Sequence, residues 1–201
     1  MFLANRQTQT TNTAHWAGAH RLLTNRLAQA AVIQTTARSI LEEGLAYDRC
    51  LVGVVTDMQG WESLADHDVQ DISHMRRVLR TQIDVVLDEG AGVLNADDER
   101  VAELASLCDG EVLLYSLHAN NATIAAHRNE KNGRAVFLLD GRVVLAHGSK
   151  ERVLGQLSAL PLASGTAPDT ASLLAAIATA WALDIAPDLI AAGIKTFEYQ
   201  R

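Results

Sequence analysis

Residues 30–56 read AAVIQTTARSILEEGLAYDRCLVGVVT. Two apolar, β-branched runs flank a segment of helical period, so the spacing predicts a strand over 30–35, a helix over 37–45 and a strand over 51–56. Strand, helix and strand in this order form a βαβ unit, whose two strands lie parallel because the crossover returns the chain to the same end of the sheet.

The same rhythm continues on both sides. Before the unit, residues 15–25 read as a helix, and residues 1–12, polar and rich in Thr, Gln and Asn, as a flexible arm. After it, Ile72, Met75, Leu79, Ile83 and Val86 fall three and four apart, which predicts one long amphipathic helix over 69–88, stopped by Gly90. A strand is expected over 92–95, a helix begun by Asp97 or Asp98 and running to 107, and a strand over 111–117. Residues 123–127, 134–139 and 142–147 then read as short strands. The last two are joined by Asp140-Gly141, a pair suited to a two-residue hairpin. Beyond Pro161, Asp169 is expected to cap a helix to 183, and Ala186 or Pro187 to open a last helix before Gly193. The fold class is α/β, a mostly parallel helix-flanked sheet with a small antiparallel sheet, and residues 13–201 are expected to form a single domain.

Composition sets the outer limits. The 201 residues are 48% hydrophobic and 20% charged, enough apolar material for one core. A net charge of -7 disfavours nucleic acid and anionic membrane surfaces as partners. Arg76, Arg77 and Arg80, the densest basic cluster, lie on a predicted helix, where solvated charge is the ordinary reading. Cys50 and Cys108 have neither metal nor disulfide spacing. MFLANRQTQTTN has no long apolar core, and SLLAAIATAWALDIA is broken by Asp184, so a cytoplasmic location without membrane or nucleic-acid contact is expected.

Residues 30–57 followed forty residues on by VLNADDERV (93–101), in that order and at that spacing, resemble the Mur-ligase-like domain of the cyanophycin synthetases. The likeness begins near Asn12 and runs to about Phe197. It implies part of a Mur-ligase central domain. A glycine-rich phosphate loop ending in Gly-Lys-Thr, which would surround the β and γ phosphates with backbone amides and a lysine, is absent from this sequence.

Carried over position by position, the resemblance puts Gln34 where the family holds magnesium with a glutamate. A neutral amide removes the charge that favours the ion. The family's arginine and paired glycines fall at Ala37, Arg38 and Ser39, and Arg38 is a shifted counterpart of that arginine. Glu62 and Ser63 stand where the family has Asp and its metal-side His, with His67 four residues later as a displaced replacement or a solvated loop histidine. Asn95 and Asp98 match residues that contact the adenosine part of ATP in Mur-type ligases. Their plainer reading is a strand end followed by an acidic helix start. Ser172 lies near the position of a family asparagine. Asp66, His67, Asp68, Asp71 and His74 form the one dense group of metal-capable side chains, but without a recognised spacing no metal site is expected.

The losses of phosphate loop, glutamate and histidine imply a chain that is not an enzyme and needs no cofactor. The expected function is that of a noncatalytic accessory protein, a pseudoenzyme of cyanophycin metabolism. Its expected partners are a second copy of itself, the synthetase or the cyanophycin polymer. The alternative is a residual ATP-binding, Mur-type ligase-like protein using Asn95 and Asp98.

Overall fold

A computed structural model of the chain describes residues 2–3, 6–7, 14–159 and 170–197. They gather into two compact units, one from residues 1–49 and 59–79 and the other from residues 50–58 and 80–201.

In the first unit, β1 (Phe2–Leu3) and β2 (Arg6–Gln7) pair antiparallel. Helix α1 (Trp16–Leu23) starts at His15, whose Nδ1 accepts the Gly18 N–H at 3.2 Å. Glu43, at the end of α2 (Ala37–Glu43), accepts the Trp16 N–H at 2.9 Å, which satisfies another of the amides that a helix start leaves open. Thr36 caps α2 through the Ser39 N–H at 3.1 Å, and Gly44 at φ 76° ends it. A 310 turn, Trp61–His67, and α3 (Ile72–Leu79) complete this unit. The strand expected over 30–35 does not form: Val32 is 89% exposed and no strand of the described residues pairs with this run. β-branched residues favour an extended backbone, but a strand needs a neighbour to take its N–H and C=O groups.

The second unit is built on one six-stranded sheet. Its strands β3 (Cys50–Val55), β4 (Val86–Asn95), β5 (Glu111–Ser116), β6 (Arg134–Leu139), β7 (Arg142–His147) and β8 (Lys150–Gln156) stand side by side in chain order. The first four are parallel, and β7 and β8 are added antiparallel. The mostly parallel α/β fold read from the sequence is thus present, with its antiparallel part continuous with the main sheet. Asp140 at φ 49° and Gly141 at φ 72° make the expected hairpin turn, in the positive-φ geometry that matches strand twist. Helices α4 (Thr81–Asp84), α5 (Glu99–Ala102) and α6 (Ala122–Lys131) are the short connections. Helices α7 (Thr170–Ala182) and α8 (Pro187–Lys195) follow the sheet. Asp169, the expected cap of α7, lies outside the described residues. Val93, Leu113, Tyr115, Val136, Val143 and Leu145 form a single core with Leu174 and Ile177 of α7 and Ile190 of α8. Phe137, one residue out of phase with Val136, points to the opposite face, under Arg128 of α6. Among the described residues no helix is long and apolar enough to cross a membrane.

Two further expectations are corrected. The helix over 69–88 is instead α3, α4 and the start of β4, because Val86 is taken as a sheet partner by Cys50. Pairing overrides a periodicity that fitted both structures. Gly90 therefore sits within β4, where its lack of a side chain matters: a Cβ there would lie 2.3 Å from the Leu51 carbonyl oxygen. The strand expected over 123–127 is helix α6, because Asn121 accepts the Ile124 N–H at 3.1 Å and starts a turn before the alternating pattern begins.

His127 of α6 is half-buried, with Nε2 3.0 Å from the Val112 carbonyl oxygen, which fixes the neutral ring with its proton on Nε2. Burial pushes its pKa below the ordinary histidine value, against the smaller opposing effect of that carbonyl. The unfolded chain then binds the proton more readily. The neutral ring's contribution is complete above pH about 6.5 and is lost as the pH falls through the lowered folded value. Urea midpoints should fall between pH 7.5 and 5, and less so in His127→Gln, which keeps a donor for Val112. Equal acid sensitivity in both proteins would assign the loss elsewhere.

Candidate functional site

Several of the residues singled out in the sequence fall into two polar clusters, one in each unit. In the first unit, Arg38 projects from α2 onto the 310 turn. Its guanidinium meets Asp66 at 2.8 and 3.2 Å, donates to the Ser63 carbonyl oxygen at 2.6 Å, and lies 3.0 Å from His67 Nε2. Glu42, one helical turn beyond Arg38, stands 3.2 Å from the same His67 nitrogen. The Arg38 guanidinium holds the Asp66 carboxyl below the usual carboxylate range, and Asp66 in turn raises Arg38. His67 is therefore tied into an ion-pair network rather than left as a solvated loop histidine. Nothing in its sequence neighbourhood marks Glu42, 25 residues earlier, as its partner.

Ser63 turns its hydroxyl onto the Gly60 carbonyl oxygen at 2.7 Å, and Gln34 is exposed on irregular chain ahead of the Thr36 cap. Asp71 and His74 are engaged in starting α3: Asp71 accepts the His74 N–H at 2.9 Å, which lowers its pKa, and His74 Nδ1 accepts the Gln70 N–H at 3.2 Å. Among the described residues no three His, Cys, Asp or Glu side chains are grouped to hold a metal ion.

The second cluster lies where β3, β4 and β5 end. In parallel α/β sheets this carboxyl-end edge is the usual place for a ligand, because the connecting loops leave a crevice there. Asn95, the last residue of β4, donates from Nδ2 to the Thr56 carbonyl oxygen at 2.9 Å and accepts the Asp97 N–H at 3.0 Å. Asp98 caps α5 through the Arg100 N–H at 3.1 Å and holds both sides of the Arg100 guanidinium at 2.9 Å. Arg100 keeps the Asp98 carboxyl below its ordinary range. The plainer reading of Asp98 as the acid at a helix start is met in full.

Sequence reading gave no role at this edge to the Asp97 carboxylate, on which three donors converge. Asp97 accepts the Ser116 hydroxyl at 2.5 Å, the Leu117 N–H at 2.7 Å and the Asn121 side-chain amide at 3.1 Å. Its own stretch, LNADD, gave no reason to prefer it to Asp98. The donors stand 19 to 24 residues later and are brought to it by the β4–β5 register, in which Asn95 faces Tyr115.

No family model matches the sequence. Curated relatives do. A cyanophycin synthetase of Synechocystis sp. is 32% identical over 182 residues, which are 88% of this chain and 20% of that protein. The cyanophycin synthetase of Crocosphaera subtropica is 31% identical over 183 residues, and that of Nostoc sp. is 28% identical over 181, with the same 20% share of each relative. These relatives are named as an enzyme, which overturns the expectation that the chain is not one: nothing in the observed clusters demonstrates inactivity, and the positions at Gln34 and Ser63 do not suffice to infer it. By sequence, the chain is a homologue of the cyanophycin synthetases, and it spans one fifth of their length.

Proposed function

We propose that this chain acts in cyanophycin metabolism as a synthetase-like protein that works in association with another polypeptide, either a cyanophycin synthetase or a second copy of itself. The observation that carries this reading is the 32% identity to a cyanophycin synthetase over 88% of the chain, on an α/β sheet of the expected class. Exposed apolar side chains in the first unit support association: Trp16, Leu23, Leu27 and Val32 are 37, 43, 81 and 89% exposed. Binding of the cyanophycin polymer is a weaker extension, since exposed ion pairs contribute only about 0–1 kcal/mol each.

The test is cyanophycin synthesis by a purified synthetase with and without this chain, with the chain alone as a third arm and the mass of any complex measured. A complex heavier than the 21.7 kDa chain and a changed yield are expected. A free 21.7 kDa species together with unchanged yield at every ratio would remove this reading.

A second reading, binding of ATP through Asn95 and Asp98, is favoured by their place at the carboxyl end of β4, beside the ends of β3 and β5. Calorimetric titration with ATP and Mg²⁺ tests it. Asn95→Ala and Asp98→Ala should both weaken any binding found.

A further inference from the structure

At the strand-end edge the Asn95 side-chain amide is held at both ends. An asparagine amide offers two N–H donors and two carbonyl lone pairs. Asn95 uses one donor on the Thr56 carbonyl oxygen and one lone pair on the Asp97 N–H, at 2.9 and 3.0 Å. That leaves one N–H and one carbonyl lone pair of the amide for a further partner, on a side chain tied to the turn over residues 95–98. A donor next to an acceptor matches the edge of a heteroaromatic base, which offers the complementary pair, and does not match a phosphate, which only accepts.

What holds the turn is the Asp97 carboxylate. Ser116, which is fully buried, donates its hydroxyl to Asp97 Oδ1 and accepts the His118 N–H at 2.8 Å, so this oxygen is anchored to the end of β5. The Leu117 N–H takes the second oxygen, Oδ2. Asn121 bridges Asp97 Oδ1 and the Ala96 carbonyl oxygen, at 3.1 and 2.9 Å, while its own oxygen starts α6. Three donors converge on one carboxylate, from the last residue of β5 and the connection to α6, and all act on the turn that carries Asn95. Hydrogen bonds to an ionised acceptor are about twice as strong as neutral ones.

We infer that Asp97 is the positioning residue of this edge: it locks the β4–α5 turn to the β5–α6 connection, and so fixes the Asn95 amide as a donor–acceptor pair for a base. The naming of a base as ligand rests on the second reading above. The locking of Asn95 does not.

The test compares the unmodified chain with Asp97→Ala, Asp97→Asn, Asn95→Ala and the Asp97→Ala/Asn95→Ala double variant, with folding checked by circular dichroism. Asp97→Asn keeps the shape but turns an N–H₂ toward partners that are all donors, and serves if the alanine variant does not fold. In ¹⁵N NMR, either Asp97 variant should shift the Asn95 side-chain amide pair and speed exchange of the Leu117 amide about tenfold, the equivalent of one lost hydrogen bond. An Asn95 amide pair unmoved in a folded Asp97 variant overturns the inference. In titration with ADP, each single alanine variant should bind about tenfold more weakly and the double variant no more weakly than Asn95→Ala, as expected when one residue acts through the other. Additive losses would likewise overturn it. If the unmodified chain does not bind ADP, the base-binding reading fails and the NMR result alone decides the role of Asp97.

Discussion

Phe137→Ala should destabilise the second unit by about 3–5 kcal/mol, a large part of the total stability of an ordinary domain. Phe137 is 2% exposed on β6, a strand with neighbours on both sides, facing Ser116 of β5 and Val144 of β7. Removing the ring leaves a cavity that paired strands cannot close by moving together, because their spacing is fixed by backbone hydrogen bonds. It also strips the Arg128 guanidinium, 5.3 Å above the ring centroid, of its cation–π contact. A urea titration read at the amide band would show the midpoint drop, with Phe137→Leu losing less. A cost below about 1 kcal/mol would mean that the sheet relaxes around the gap.

Arg134→Ala is expected to cost about 2–3 kcal/mol. Arg134 keeps only 12% of its side chain exposed and grips both oxygens of Glu111, at 2.8 and 2.5 Å. It also donates to the Trp181 carbonyl oxygen at 2.9 Å and lies 5.2 Å from the Trp181 ring centroid, so one side chain fastens the end of α7 to β5 and β6. Breaking a buried pair usually costs about 3–5 kcal/mol. The figure here is lower because Glu111, 43% exposed, recovers water when left alone. Arg134→Lys should restore only part of the loss, since an ammonium cannot reproduce the two-oxygen fork. The fork makes a further distinction: the loss should persist in about 0.5 M salt, where a purely surface ion pair would be screened. A loss that disappears in salt would reduce Arg134 to surface electrostatics.

Much of the architecture was legible because it is written in local, short-range chemistry. β3, β5, β6 and β7 are apolar runs bounded by polar or turn residues, and Asp140-Gly141 specifies its hairpin through the positive φ that both residues tolerate. The last helix opens at Pro187, whose fixed φ suits a first turn. Order and spacing of residues 30–57 and 93–101 were also enough to carry the resemblance to the cyanophycin synthetases, and alignment at 28–32% identity bears it out. Reading lost motif residues as lost catalysis was a different kind of step. It inferred an activity from positions one at a time, whereas activity belongs to the geometry of a whole site.

Sequence by itself determined the α/β class, the hairpin, the helix starts at Asp98 and Pro187, and the kinship, because propensity, periodicity and turn chemistry act over a few residues. Only the tertiary structure decided that residues 30–35 stay unpaired, that Val86 leaves a helical stripe to join a strand, and that Asp97 rather than Asp98 gathers the donors of the next loop. Each of these outcomes depends on which strand stands beside which and in what register. A hydrogen bond between residues 97 and 116 exists only once parallel pairing has brought their two strand ends together, and no local pattern in either segment encodes that meeting.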